Sequence, residues 1–240
     1  MMMRSWENIP EELKTKECRK YYDILRKKRI SLIFKRLFDV FVALILLIIL
    51  SPVFLVLAIA IKIDSKGPVF YRQVRVTQYG KQFRIHKFHS MVNDADKGSQ
   101  ITVGNDSRIT RVGSFIRKCR LDEICQLIDV LEGNMTFVGT RPEVPKYVEQ
   151  YSAEMMATLL LPAGITSEAS IYYKDEARLL DGVEDTDGIY VEKILPEKMR
   201  YNLKSIKKFG FWRDIKIMFM TVFAVLGKEY EEEDCKDEQI

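Results

Sequence analysis

Histidine is scarce, with two residues, and the four cysteines, Cys18, Cys119, Cys125 and Cys235, are scattered over 240 positions. No C-x-x-C pair or Cys/His cluster occurs. That excludes a disulfide scaffold and a structural zinc module, and it makes a reducing cytosolic setting the expectation. Twelve glycines and seven prolines rule out a collagen-like repeat. Charged residues at 30% and aromatics at 11% exclude both a disordered chain and a polytopic membrane bundle, while 47% hydrophobic residues suffice for a sizeable core.

Outside the C-terminus negative charge is outnumbered by positive. Residues 228–240 hold seven acids against Lys228 and Lys236, so this tail carries −5 and the remainder of the +4 chain carries +9. The tail reads as a solvated, disordered end. A basic body suits phosphate-rich partners: nucleic acid, an anionic membrane surface or a nucleotide substrate. No helix-turn-helix, RNP or zinc pattern supports nucleic acid.

Charge is missing altogether from Val40 to Ile61, twenty-two residues that could span a bilayer as a helix. With thirty-nine residues ahead of it and no small-residue cleavage site close behind, the run is not a cleavable signal peptide. Seven basic residues in 20–39 and five in 62–81 give both flanks a cytoplasmic character. Ser51-Pro52 interrupts the run, since proline lacks a helical donor and serine can cap a new helix. Each half then reaches about 16 Å, near the middle of the hydrocarbon. A re-entrant helix-break-helix fits both facts, and a Pro-kinked spanning helix is the competing geometry. Upstream, residues 11–36 mix apolar and basic side chains as an amphipathic helix or helix pair, suited either to anionic lipid or to a soluble surface.

Beyond Gly67-Pro68, residues 69–76 and 82–88 flank a Gln78-Tyr79-Gly80 turn and predict a β-hairpin, with Arg72, Arg84 and Lys87 on its polar face. Ser107 could cap a helix through Ile109, Val112, Phe115 and Ile116, and Arg117, Lys118 and Arg120 then approach a second helix beginning near Asp122. Asp122 and Glu123 would complement that helix terminus as capping residues. The same position keeps a carboxylate ionised beside an arginine cluster able to bring a phosphate within reach. Gly139 to Pro142 forms a loop presenting Arg141, which could be a plain turn or a phosphate clamp. Residues 162–188 are acidic and irregular, and Phe209 to Leu226 reads as an interfacial or core helix.

Six features in order resemble the bacterial sugar transferases, the small monotopic phosphoglycosyl transferases. They are Lys35-Arg36-Leu37-Phe38-Asp39, the run broken at Ser51-Pro52, Gly67-Pro68-Val69-Phe70, Lys87-Phe88-x-x-Met91, Arg117 with Leu121-Asp122-Glu123, and Phe137-Val138-Gly139-x-Arg141-Pro142. The resemblance covers residues 35 to 226. It implies an α+β membrane-associated fold: a re-entrant helix over 35–63, a mostly helical cytosolic domain over 64–227 with a small hairpin and interfacial amphipathic helices, a basic extension at 1–34 and the acidic tail.

It further implies transfer of a sugar 1-phosphate from a UDP-sugar to polyprenyl phosphate at the cytosolic face of a bacterial inner membrane. That would be an opening step of glycan synthesis, ahead of downstream glycosyltransferases. By that likeness Asp122 is nucleophile and Mg²⁺ ligand, Glu123 assists as acid/base or metal-shell group, and Arg117, Arg141 and Lys87 hold phosphate. The chain departs from the family pattern at Thr140, His89, Cys125 and the 164–170 stretch, which leaves the sugar unnamed. A catalytically silent membrane scaffold is the alternative reading.

Overall fold

A computed structural model of the chain describes residues 3–92, 108–173, 185–228 and 230. Helix α1 (Lys16–Lys27) precedes α2 (Arg29–Asp64), which leads into the antiparallel hairpin β1 (Phe70–Val76) and β2 (Gln82–Phe88). Helices α3 (Arg111–Lys118) and α4 (Gln126–Glu132) come next, then β3 (Met135–Val138), α5 (Pro145–Val148), β4 (Ala163–Thr166) and α6 (Glu168–Tyr172). Helices α7 (Thr186–Ile189), α8 (Leu195–Lys207) and α9 (Phe211–Val225) close the described chain. The fold is mostly helical, with β3 and β4 forming a second, parallel two-stranded sheet. Backbones approach so closely there that a Cβ at Gly164 would lie 2.2 Å from the Gly139 nitrogen, which fixes glycine at that position.

Helix α2 is long and apolar enough to cross a membrane. At Ser51-Pro52 the helix assignment runs on, with the proline inside one long helix. Proline removes the N–H that would bond the Ile48 carbonyl, and the Ser51 hydroxyl donates to that carbonyl instead at 2.8 Å. Serine therefore bridges the gap rather than capping a new helix.

One face of α2 is buried on the body in two stretches, from Leu32 to Ala43 and at Leu57 and Ile61. Ala43 packs with Leu127, Val130 and Met135, and Leu57 and Ile61 pack with Phe88, Ile116 and Cys125. The opposite face leaves Ile33, Phe34, Leu37, Phe41, Leu44, Ile48, Leu55, Val56 and Ile59 exposed, at the spacing of one helical stripe. Three polar residues at the start of α2 anchor it. Lys35 Nζ pairs with Asp214 at 2.6 Å, Arg36 donates to the carbonyls of Val130 and Leu131 at the end of α4, and the Thr136 hydroxyl donates to Asp39.

Within the N-terminal extension, helix α1 packs on protein. The apolar face of α1 (Cys18, Tyr21, Tyr22 and Leu25) is buried against Leu159, Leu160, Leu203 and Ile206, so no apolar face remains for lipid. Its charged side, with Lys20, Arg26 and Lys27, faces outward. Helix α3 is capped by Thr110, whose hydroxyl accepts from Gly113 N at 2.9 Å. Ser107, the 174–184 stretch and the tail residues 231–240 lie outside the described residues.

Candidate active site

Asp122 and Glu123 do not open a helix as the sequence predicts. They occupy a 3-10 turn, Leu121–Glu123, entered through Arg120 in the left-handed region at φ 56°, and α4 starts only at Gln126. The turn packs against β2 and the end of α3, which brings Lys87 and Arg117 to the carboxylate pair.

The hairpin forms in the expected region, but its residues sort differently. Strand alternation puts Lys87 on the inward face with Ile85, Phe83 and Arg75, while Arg72 and Arg84 point the other way with His86. Lys87 is thus carried to the site, and Arg72 is not. Arg72 Nη1 lies 2.6 Å from His86 Nε2, so that nitrogen accepts and Nδ1–H donates to Asp129 at 2.8 Å. His86, Asp129 and Glu132 have spacing that could hold a cation, yet both ring nitrogens of His86 are already used, and the cluster is a structural brace.

Glu123 is gripped from two sides. Arg141 donates to both carboxylate oxygens, with Nη1 to Oε2 at 3.0 Å, and Lys87 Nζ reaches Oε1 at 3.2 Å. Burial would push this carboxyl up, but Arg141 and then Lys87 outweigh it and hold Glu123 well below the usual carboxylate range. Glu123 reciprocally raises Arg141 further above the ordinary guanidinium value. Lys87 is lowered by burial, against the pull of Glu123.

Asp122 stands apart. Its residue is 9% exposed, and among the described residues no hydrogen bond or ion pair engages its carboxylate. Burial, then the charge of Glu123, raises its pKa, while Lys87, Arg117 and Arg141 oppose the rise. A free, partly desolvated carboxylate facing three cations is suited to nucleophilic attack on an anionic phosphorus centre. Asp122, Glu123, Lys87, Arg117 and Arg141 thus lie near one another, and Arg72 and Arg84 do not join them.

Arg75 and Glu143 were not foreseen. Arg75 donates to Gln73 Oε1 and, at 3.0 Å, to the Pro142 carbonyl, while Glu143 accepts from the Tyr190 hydroxyl at 2.6 Å. Parity along β1 does not flag Arg75, because Phe70, Val74 and Val76 lie on the other face and only the pairing with Phe83 of β2 shows where Arg75 points; no local signal marks Glu143.

Residues 30–228 match the family described as bacterial sugar transferase, and the chain belongs to it. A UDP-glucose:undecaprenyl-phosphate glucose-1-phosphate transferase from Klebsiella pneumoniae is 39% identical over 200 residues, covering 81% of this chain and 40% of the relative. A UDP-N-acetylgalactosamine-undecaprenyl-phosphate N-acetylgalactosaminephosphotransferase from Aeromonas hydrophila is 35% identical over 196 residues, 80% of this chain and 43% of the relative. A Caulobacter vibrioides protein, named like the Klebsiella one, is 34% identical over 197 residues, 80% of this chain and 69% of the relative. The chain therefore spans less than half the length of the first two.

Proposed function

We propose that the chain transfers a sugar 1-phosphate from a UDP-sugar to polyprenyl phosphate, releasing UMP. The unengaged Asp122 carboxylate beside a Glu123 clamped by Lys87 and Arg141 carries this reading. An Asp122 oxygen attacks the phosphorus next to the sugar. The bond from that phosphorus to the bridging oxygen breaks, and UMP leaves with the electron pair. An oxygen of the lipid phosphate then attacks the same phosphorus, the carboxylate departs, and a polyprenyl diphosphate sugar results. Double displacement of this kind gives ping-pong kinetics.

Arg141, Arg117 and Lys87 hold the diphosphate oxygens, and Arg141 with Lys87 keeps Glu123 in place beside the nucleophile. Asp122 also fits as a ligand for Mg²⁺, which takes one or two carboxylates and completes its shell with water and substrate phosphate. When bound, the ion would offset diphosphate charge.

The membrane reading draws support from α2. Both of its ends rest on the same body while its outer stripe is apolar, which favours a helix that enters and leaves on one side, with the basic flanks in the cytosol of a bacterial inner membrane. Trp212, Phe219, Val222 and Phe223 of α9 are exposed and would lie at the same interface. The product lipid would be the starting point for later glycosyltransferases.

The test is UMP release from a panel of UDP-sugars by nanodisc-held protein with Mg²⁺ and polyprenyl phosphate. Release from one or more sugars supports the transferase. No release by folded, inserted protein would turn the reading to a silent scaffold.

A further inference from the structure

We propose that Arg75, Glu143 and Tyr190 are positioning residues that set the guanidinium of Arg141 on Glu123. The inference rests on the reading of Arg141 as a phosphate-holding group and adds residues that this reading does not include.

Arg141 sits on the segment between β3 and α5, and that segment is seized from two sides within two residues. From the hairpin, Val76 N–H donates to the Glu143 carbonyl at 2.9 Å, and Arg75 Nη1 donates to the Pro142 carbonyl at 3.0 Å. From the far side, the Tyr190 hydroxyl donates to Glu143 Oε1 at 2.6 Å, and Lys198 Nζ reaches the same hydroxyl at 3.0 Å. Glu143, Tyr190 and Lys198 are all buried.

Charged groups are costly to bury, and an apolar replacement of similar volume packs as well or better. Their presence is therefore better explained by direction than by stability: three of these bonds end on the two residues after Arg141, and the fourth, from Lys198, holds the Tyr190 hydroxyl that makes one of them. Electrostatics calls for such a brace. Arg75 and Arg141 repel each other, and Glu143 attracts both, so the loop can hold two guanidinium groups close together only while Glu143 is fixed. Tyr190 opens a π-helical turn, Tyr190–Ile194, that runs on into α8. Such wide turns concentrate at functional sites.

Tyr190→Phe removes one hydroxyl and leaves the ring. In the full chain in nanodiscs, kcat/KM for UMP release is expected to fall about 10-fold or more, the order of loss seen when a hydrogen-bond partner that orients a metal ligand is removed. Amide hydrogen exchange is expected to accelerate at residues 139–144 and to stay unchanged in β2 and α4. A role in bulk stability alone would instead raise exchange throughout the fold in step with a lowered Tm, and that result overturns the proposal. Unchanged exchange at 139–144, or faster exchange there with full activity, overturns it too. Should the wild type release no UMP from any UDP-sugar, the transferase reading fails, and the exchange pattern alone decides whether Tyr190 positions the loop.

Discussion

Lys35→Met probes how the long apolar helix is held to the rest of the molecule. Lys35 Nζ and Asp214 Oδ2 are 2.6 Å apart, with their side chains only 3% and 12% exposed. Removing the lysine strands a carboxylate that burial already pushes up. Loss of one partner from a buried pair costs about 3–5 kcal/mol, whereas replacing both with apolar residues is near neutral. For a chain of this size each kcal/mol shifts Tm by about 2–4 °C, so Lys35→Met should lower it by roughly 6–20 °C. The double variant Lys35→Met/Asp214→Leu should recover most of that.

The assay is thermal unfolding of the three proteins in one detergent, followed by near-UV circular dichroism. The pH dependence has a definite sign. A buried carboxyl with a raised pKa penalises the fold only when ionised, so the single variant's deficit should shrink as pH falls through that raised value. A loss of about 1 kcal/mol or less, as for an exposed pair, or a double variant as unstable as the single, would refute the reasoning.

Glu123→Gln removes the nearest anion to Asp122 and frees Lys87 and Arg141, and both changes favour the Asp122 carboxylate. The acid limb of UMP release, which in the wild type should lie above the ordinary aspartate range, should therefore move to lower pH, whatever the loss in rate; pH–rate profiles of the two proteins check this, and an upward shift would contradict it. Leu25→Ala should cost about 2–5 kcal/mol, because Leu25 is fully buried in protein, and it should leave flotation with anionic vesicles unchanged. Weakened flotation of the folded variant would restore α1 to the lipid.

Much of the candidate site was legible because its residue types are locally concentrated. Asp122-Glu123 with Arg117, and the glycine-flanked Arg141, announce charge chemistry, and the charge-free run announces α2. What stayed hidden depends on distant partners. The apolar side of α1 suits lipid and protein equally until Leu159 and Leu203 are seen to cover it. Proline inside the apolar run marks a break or a kink, and the Ser51 hydroxyl that takes up the freed Ile48 carbonyl is a partner the sequence does not announce. The helix expected at Asp122 begins later because Arg120 turns the chain left-handed first. Glu143 looks like any loop acid, since Tyr190, its partner, lies 47 residues onward.

The most direct measurement uses UDP-sugar labelled in the phosphate next to the sugar, mixed with nanodisc-held protein and Mg²⁺ in the absence of lipid acceptor. Label should become covalently attached to wild-type protein with matching UMP release, map to the peptide holding Asp122, vanish in Asp122→Asn, and be discharged by added polyprenyl phosphate. Lipid-dependent product formation with no labelled protein at any time, or undiminished turnover in Asp122→Asn, would contradict the aspartyl mechanism.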